Sequence, residues 1–298
     1  MIYSVTHITE YIYDDYVSYC HNLATLKPRS FKGQQVLDFE MLIDPLPDEI
    51  SERIDFFGNY TTRFSIQHSH KVLKVTCKSK IERNIIAVET DIPPELKNLN
   101  LRNVQTRLSQ REPELIDARQ YLLESPLIRK VSQEIREYAA VSFHPDRPVF
   151  ESAYELMQRI YSDFTYLQGF TTVTTPLNVV ISEKKGVCQD FAQIAIACVR
   201  SAGLPARYVS GYIETVPPEG ETKLVGADAS HAWFSVFIPG YGWVDFDPTN
   251  NQIPSHQHIT VAWGRDYYDV PPLKGVIFSN GENHMKVSVD IQQLSEYS

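Results

Sequence analysis

The sequence predicts an α+β protein: an N-terminal antiparallel β-sandwich-like domain, then a core in which a buried helix packs on an antiparallel sheet. Three observations predict it. Short alternating or β-branched runs crowd residues 1 to about 85, Gln189 to Ala202 is apolar almost all round, and strand-like runs separated by turn residues follow that stretch.

In the first region the runs are Tyr3 to His7, Val36 to Ile43 and Val72 to Cys77, with turn chemistry at Asp44-Pro-Leu-Pro-Asp48 and Phe57-Gly-Asn59 between them. From about 112 to 162 the pattern turns helical. Ser132 to Tyr138 is rich in helix formers, and Phe150 to Tyr161 places apolar groups at helical spacing. Pro145 to Pro148 breaks the helical pattern. The expected partition is therefore a β-rich domain at 1–85, a helical linker at 86–148, and a catalytic core with a C-terminal extension at 149–298. Within that core, Gly203 and Pro205 end the apolar helix. Ala206 to Glu214, His231 to Ile238 and Trp243 to Asp247 read as strands, the last two joined by Pro239-Gly-Tyr-Gly242.

Composition narrows the function. The 298 residues are 43% hydrophobic and 22% charged, an ordinary globular balance, with a net charge of −9 from 28 basic and 37 acidic residues. No basic patch that would select phosphate backbones or anionic lipid is visible, so neither nucleic acid nor membrane is an expected partner. The start lacks a signal-like apolar stretch, and no run approaches the roughly 18 apolar residues of a membrane helix, so a cytoplasmic location is expected. Four cysteines, at 20, 77, 188 and 198, form neither a disulfide framework nor a CxxC pair.

Cys188 stands out because it sits directly ahead of the apolar helix. A helix N-terminus presents unpaired N–H groups and the positive end of the macrodipole, and both favour a thiolate nucleophile. Gly186 allows a tight approach. An amide leaving group also needs a proton donor, and His231, at the start of a strand, can supply it. Asp247 lies 16 residues later (247 − 231), across the Pro-Gly-Tyr-Gly turn. A hairpin centred near 239 or 240 puts His231 opposite a residue between 247 and 250, where a carboxylate could hold the imidazole in one tautomer. A one-residue change in loop length would move Asp247 to the other face, which leaves Asn250 as a second candidate and Asp245 as a third. Each member has an ordinary structural reading alone: a core thiol, a satisfied strand histidine, a turn aspartate. Their coincidence on neighbouring elements of one core favours chemistry.

At these residues the chain resembles the bacterial transglutaminase-like superfamily of papain-fold thiol enzymes. Gly186-Val-Cys-Gln-Asp-Phe-Ala192 is similar to the nucleophile motif, Ala202 to Tyr212 to the segment after it, Asp228-Ala-Ser-His-Ala-Trp233 to the histidine motif, and Gly242 to Asn250 to the aspartate motif. His7 to Tyr11 and Asp55-Phe-Phe-Gly-Asn59 resemble the N-terminal β-domain of the same group. The resemblance implies Cys188 as nucleophile, His231 as base and acid, and Asp247 as orienter. It also draws Gln189, Asp190 and Trp233 into the motifs as cleft or supporting residues. Gln193 stands where relatives more often carry histidine.

Other expectations rest on less. Tyr166 is the candidate side-chain donor for an oxyanion, beside the Cys188 N–H. Arg265, Asp266 and Tyr267 are candidate cleft residues. Glu219 to Ala227 reads as a polar loop suited to gating access. His256-Gln-His258 has metal-like spacing but no third ligand near it in sequence, so these are expected to be loop histidines, and neither metal nor cofactor is expected. The leading activity is a cysteine peptidase or amidase acting on a peptide or protein. A transglutaminase passing the acyl group to an amine is the alternative, and a non-enzymatic binding protein on the same fold is the third.

Overall fold

A computed structural model describes residues 1–84, 91–215 and 229–294. The strands are β1 (Ile2–Val17), β2 (Tyr19–Ala24), β3 (Gln34–Asp44), β4 (Glu49–Ile54), β5 (Tyr60–Ile66), β6 (His70–Arg83), β7 (Thr165–Tyr166), β8 (Lys185–Gly186), β9 (Ala206–Ile213), β10 (Ala229–Ile238), β11 (Gly242–Phe246), β12 (His258–Gly264), β13 (Leu273–Phe278) and β14 (Asn283–Leu294). The helices are α1 (Pro94–Lys97), α2 (Leu101–Leu108), α3 (Pro113–Arg119), α4 (Gln133–Ala140), α5 (Val149–Asp163), α6 (Leu177–Glu183) and α7 (Cys188–Ser201).

Alternation dictates the first layer. Along β1, Tyr3, Val5, His7 and Thr9 point inward and their neighbours are less buried, which is the period-two signature of a strand with one covered face. Two antiparallel sheets result, ordered β14-β1-β6-β3 and β13-β2-β5-β4. Tyr13, Val17, Cys20, Leu26, Phe64, Ile66, Leu73 and Val75 fill a core of their own there.

Both sheets recruit a strand from the far end of the chain. β14 pairs along β1 from Ile2↔Leu294 to Tyr13↔Asn283, and β13 pairs with β2. The expected partition is revised accordingly: β13 and β14 belong to the β-sheets of the N-terminal part and not to the helix-and-sheet core. The proposed linker differs too. Leu99, Leu101, Val104, Leu108, Leu115 and Ile135 are buried in the same apolar core as α5 and α7, so this stretch is part of that core. Sequence periodicity reports which face of an element is apolar, not which neighbour covers it.

The third sheet, β11-β10-β9-β12, carries α7 on one face. Ala232, Phe234 and Val236 of β10 share a core with Phe191, Ile194 and Cys198 of α7. Helices α4, α5 and α6 pack against α7 as well, which explains why that helix is apolar all round. β12 is an edge strand whose open hydrogen-bonding groups are met by side-chain amides of the N-terminal part. Gln34 donates through Nε2 to the Thr260 carbonyl (2.7 Å) and accepts the Thr260 N–H at Oε1 (2.9 Å). Asn59 does the same for Trp263, at 2.8 and 3.0 Å, with its amide steered by Asp55. Two amides thus stand in for a further strand and fix the β-sheets against the core.

Candidate active site

Cys188 is the first residue of α7, partly exposed, with Val187 as N-cap. The turn into the helix is held by Asp190, whose Oδ2 accepts the Val187 N–H (2.8 Å) and the Thr171 hydroxyl (2.6 Å). Gly186 is required there: a Cβ at this position would stand 2.7 Å from Asp190 Oδ2. β7 pairs in parallel with β8, Tyr166 opposite Gly186, which sets the Tyr166 ring beside the nucleophile turn.

His231 lies on β10 opposite Gly211 of β9. Gly211 leaves room for Trp233, since a Cβ would meet the Ile259 carbonyl at 2.2 Å and the Trp233 ring at 2.6 Å. Hairpin pairing runs from Ile238↔Gly242 to Phe234↔Phe246, and Asp247 follows directly. Its Oδ2 lies 2.7 Å from His231 Nε2. That leaves Nδ1 as the ring nitrogen not engaged by Asp247, and Cys188 lines the same cleft as the imidazole.

Asp247 is fully buried, and one oxygen carries three donors: His231 Nε2, Asn250 Nδ2 at 2.7 Å and His258 Nε2 at 3.0 Å. The other oxygen accepts the backbone N–H groups of Thr249 and Asn250 at 2.9 and 3.2 Å. Burial alone would raise this carboxyl, but its bonds to His231 and His258 hold it well below the usual carboxylate range. Burial also works against the His231 charge, yet the hydrogen bond to Asp247 and the neighbouring Asp247 and Cys188 charges raise its pKa to about 10. At neutral pH the pair is therefore imidazolium and carboxylate. His258 is pushed the other way by burial and is neutral, its Nδ1 receiving the Ser255 N–H at 3.4 Å.

His258 joins this network, which its sequence position did not suggest. It is the first residue of β12, fully buried, and not an ordinary loop histidine. His256 is not part of the cluster; His258 instead gathers with His231 and Asp247, their ligand atoms within 4.8 Å of one another. The Nε2–Oδ2 separations of 2.7 and 3.0 Å are those of hydrogen bonds, so the cluster is satisfied as a bonded network.

The remaining expected residues divide. Tyr166 and Gln189 line a cleft of about 360 Å³ with Cys188 and His231, and Tyr208 and Tyr267 form part of its wall. Burial first, then the neighbouring Cys188, raise the Tyr166 pKa, which keeps its hydroxyl protonated. Trp233 packs beside His231 and His258 and donates Nε1–H to Asp245 (3.1 Å), so Asp245 serves the tryptophan and not the histidine. Arg265 and Asp266 do not line the cleft. Arg265 is held by Asp269, and the buried Asp266 accepts the N–H groups of Leu127 and Tyr268. Gln193 is buried inside α7 and does not reach the cleft either. Glu219 to Ala227 falls outside the described residues. One wall comes from the β-sheets: His7, Thr9, Met285 and Val287 face Cys188 from β1 and β14.

Fold and arrangement together define a protein of papain-like, transglutaminase-type architecture. The chain belongs to the transglutaminase-like superfamily: residues 136–248 match the superfamily core, and residues 3–82 match the bacterial transglutaminase-like N-terminal region. It is 40% identical to uncharacterized proteins of Mycobacterium tuberculosis and Mycobacterium bovis over 97% of this chain and 92% of theirs. A 72-residue segment, 24% of this chain and 11% of the other, is 36% identical to a protein-glutamine gamma-glutamyltransferase of Pseudomonas aeruginosa. Among solved structures, a candidate cysteine protease from Cytophaga hutchinsonii shares the fold, with a TM-score of 0.75, 21% identity, and coverage of 99% of this chain and 92% of that one. No helix among the described residues is long and apolar enough to cross a membrane.

Proposed function

We propose that the protein is a thiol-dependent amide hydrolase, a cysteine peptidase or amidase, with Cys188 as nucleophile, His231 as acid and base, and Asp247 as orienter. The observation that supports this reading is an imidazole bonded at 2.7 Å to a buried carboxylate and lining one cleft with a helix-borne thiol. Cys188 Sγ attacks the amide carbonyl, and a C–S bond forms. As the C–N bond breaks, the His231 imidazolium gives its proton to the leaving amine. The neutral ring then takes a proton from water, which adds to the thioester. The C–S bond breaks, and a carboxylic acid leaves. The Cys188 N–H and the Tyr166 hydroxyl are the proposed donors to the oxyanion formed in both halves. No Asp, Glu, Lys or Arg is among the described cleft residues, which suits an uncharged acyl portion such as a glutamine or an apolar residue.

The segment similar to the Pseudomonas gamma-glutamyltransferase favours a second reading, in which an amine and not water resolves the same thioester. A glutamine peptide supplied with a fluorescent amine separates the two. The hydrolase reading expects release of ammonia and glutamate to exceed amine incorporation; incorporation outrunning hydrolysis would overturn it.

A further inference from the structure

Behind the catalytic row, the face of the third sheet turned away from α7 borders a second cavity of about 570 Å³, within the range of small-molecule sites. Arg207 projects into it. This residue is 8% exposed, and its guanidinium is stacked between two indoles, with Cζ 3.9 Å from the Trp263 ring centre and 4.4 Å from that of Trp243. Stacking uses the faces of a guanidinium and leaves the in-plane N–H fork free. Nε of this fork is buried without a hydrogen-bond partner. A buried charged donor left unmet is costly, which makes such a group a demand for an acceptor.

Its neighbours repeat the pattern. Register places Ser235 beside Arg207 on one side and Asp245 on the other, and Ser235 Oγ and Asp245 Oδ1 are likewise buried without partners. Arg83 commits its two terminal nitrogens to the carbonyls of Gly33 and Ser255, but its Nε is also unmet. Among the described lining residues Lys32 pairs with Asp91, and Arg83 and Arg207 face Asp245, an excess of one positive charge. Burial lowers Arg207 only to about 10, so it is charged at neutral pH. Phe31, Trp233, Tyr241, Trp243 and Ile253 supply apolar walls.

We propose that this cavity is a binding site, separate from the Cys188 cleft, for a small molecule carrying an oxyanion, a carboxylate or a phosphate, on an aromatic or apolar body. The fork of Arg207 receives the oxyanion, Arg83 adds charge, and the aromatic walls take the body. The site stands whether or not Cys188 is catalytic.

The three tryptophans of the chain all border it, Trp233 and Trp243 as walls and Trp263 against Arg207, so intrinsic fluorescence reports on this place. The full chain is titrated with benzoate, phenyl phosphate and neutral benzamide, with calorimetry as a second readout. Saturable binding of benzoate or phenyl phosphate, at least about tenfold tighter than benzamide, is expected, and the tighter of the two anions identifies the oxyanion. Arg207→Gln should weaken it about tenfold or more. Asp245→Asn, which removes the competing negative charge, should tighten it severalfold, a gain that a folding defect cannot mimic. Equal binding of the anions and benzamide, no binding of any, or weaker anion binding in Asp245→Asn would overturn the proposal and leave Arg207 as a stacked structural group.

Discussion

His258 Nε2 donates to Asp247 Oδ2 at 3.0 Å, the same oxygen that His231 Nε2 reaches at 2.7 Å. One carboxylate thus holds the imidazole that shares a cleft with Cys188, and a second imidazole holds the carboxylate. His258 is a positioning residue in this account, since it contacts no reacting atom. His258→Gln should lower kcat about tenfold to a hundredfold, the worth of one hydrogen bond to a charged group, with KM little changed. It should also move the alkaline limb of the pH–rate profile, because Asp247 sets the His231 pKa. A fall in kcat with an unmoved limb would reduce His258 to a packing role.

Removing the carboxylate separates geometry from charge. Asp247→Ala leaves two buried imidazoles without their acceptor, and loss of one partner from a buried pair costs about 3–5 kcal/mol. Asp247→Asn keeps the volume and one acceptor oxygen but sets an NH2 against N–H groups, so it should be destabilised less than Asp247→Ala yet lose activity by up to about 10⁴-fold. Chemical denaturation and kcat measured on both variants check this. Equal stability of the two would contradict the buried-charge argument.

Stability should peak near pH 6.5, for different reasons on each side. The His231 pKa is raised from 6.5 to about 10, so its contribution is complete below 6.5 and is lost as pH rises through about 10. Burial lowers the His7 pKa from 6.5 to about 4, so its contribution is complete above 6.5 and is lost as pH falls through about 4. Asp247, held below its ordinary 3.8, adds a further loss under still more acid conditions. Thermal melts across this range should show the alkaline limb flattened in Asp247→Asn and the acid limb flattened in His7→Gln. Limbs unchanged by these substitutions would assign the pH dependence to other groups.

Tyr166 is 48% exposed and its hydroxyl is neutral, so Tyr166→Phe should leave melting unchanged. If it donates to the oxyanion, kcat should drop about 10²–10³-fold with KM nearly constant. An unaffected kcat would leave its packing on Phe191 as its whole role.

Local chemistry carried much of this architecture in the sequence. The α7 start, the Pro-Gly-Tyr-Gly hairpin and the approach of Asp247 to His231 depend on caps, turns and register, which are encoded within a few residues. Non-local pairings were invisible. β13 and β14 join sheets begun some 260 residues earlier, as the Ser18–Phe278 separation illustrates, and nothing in their alternation names β1 and β2 as partners. His258 was missed for the same reason: β12 reaches Asp247 only because it lies beside β9. Arg265 and Asp266 are polar residues whose partners, Asp269 and the Leu127 N–H, satisfy them away from the cleft.

The central claim is that Cys188 is an activated nucleophile paired with His231. Cys20, Cys77 and Cys198 are buried, and burial raises the Cys77 and Cys198 thiols to about 12, so they make internal controls. Peptide mapping after substoichiometric iodoacetamide at pH 7 should find the label on Cys188 almost alone. The rate should fall at least about tenfold in His231→Ala, because the imidazolium no longer stabilises the thiolate. Slow, uniform labelling of all four cysteines, or a Cys188 rate indifferent to His231→Ala, would contradict the account.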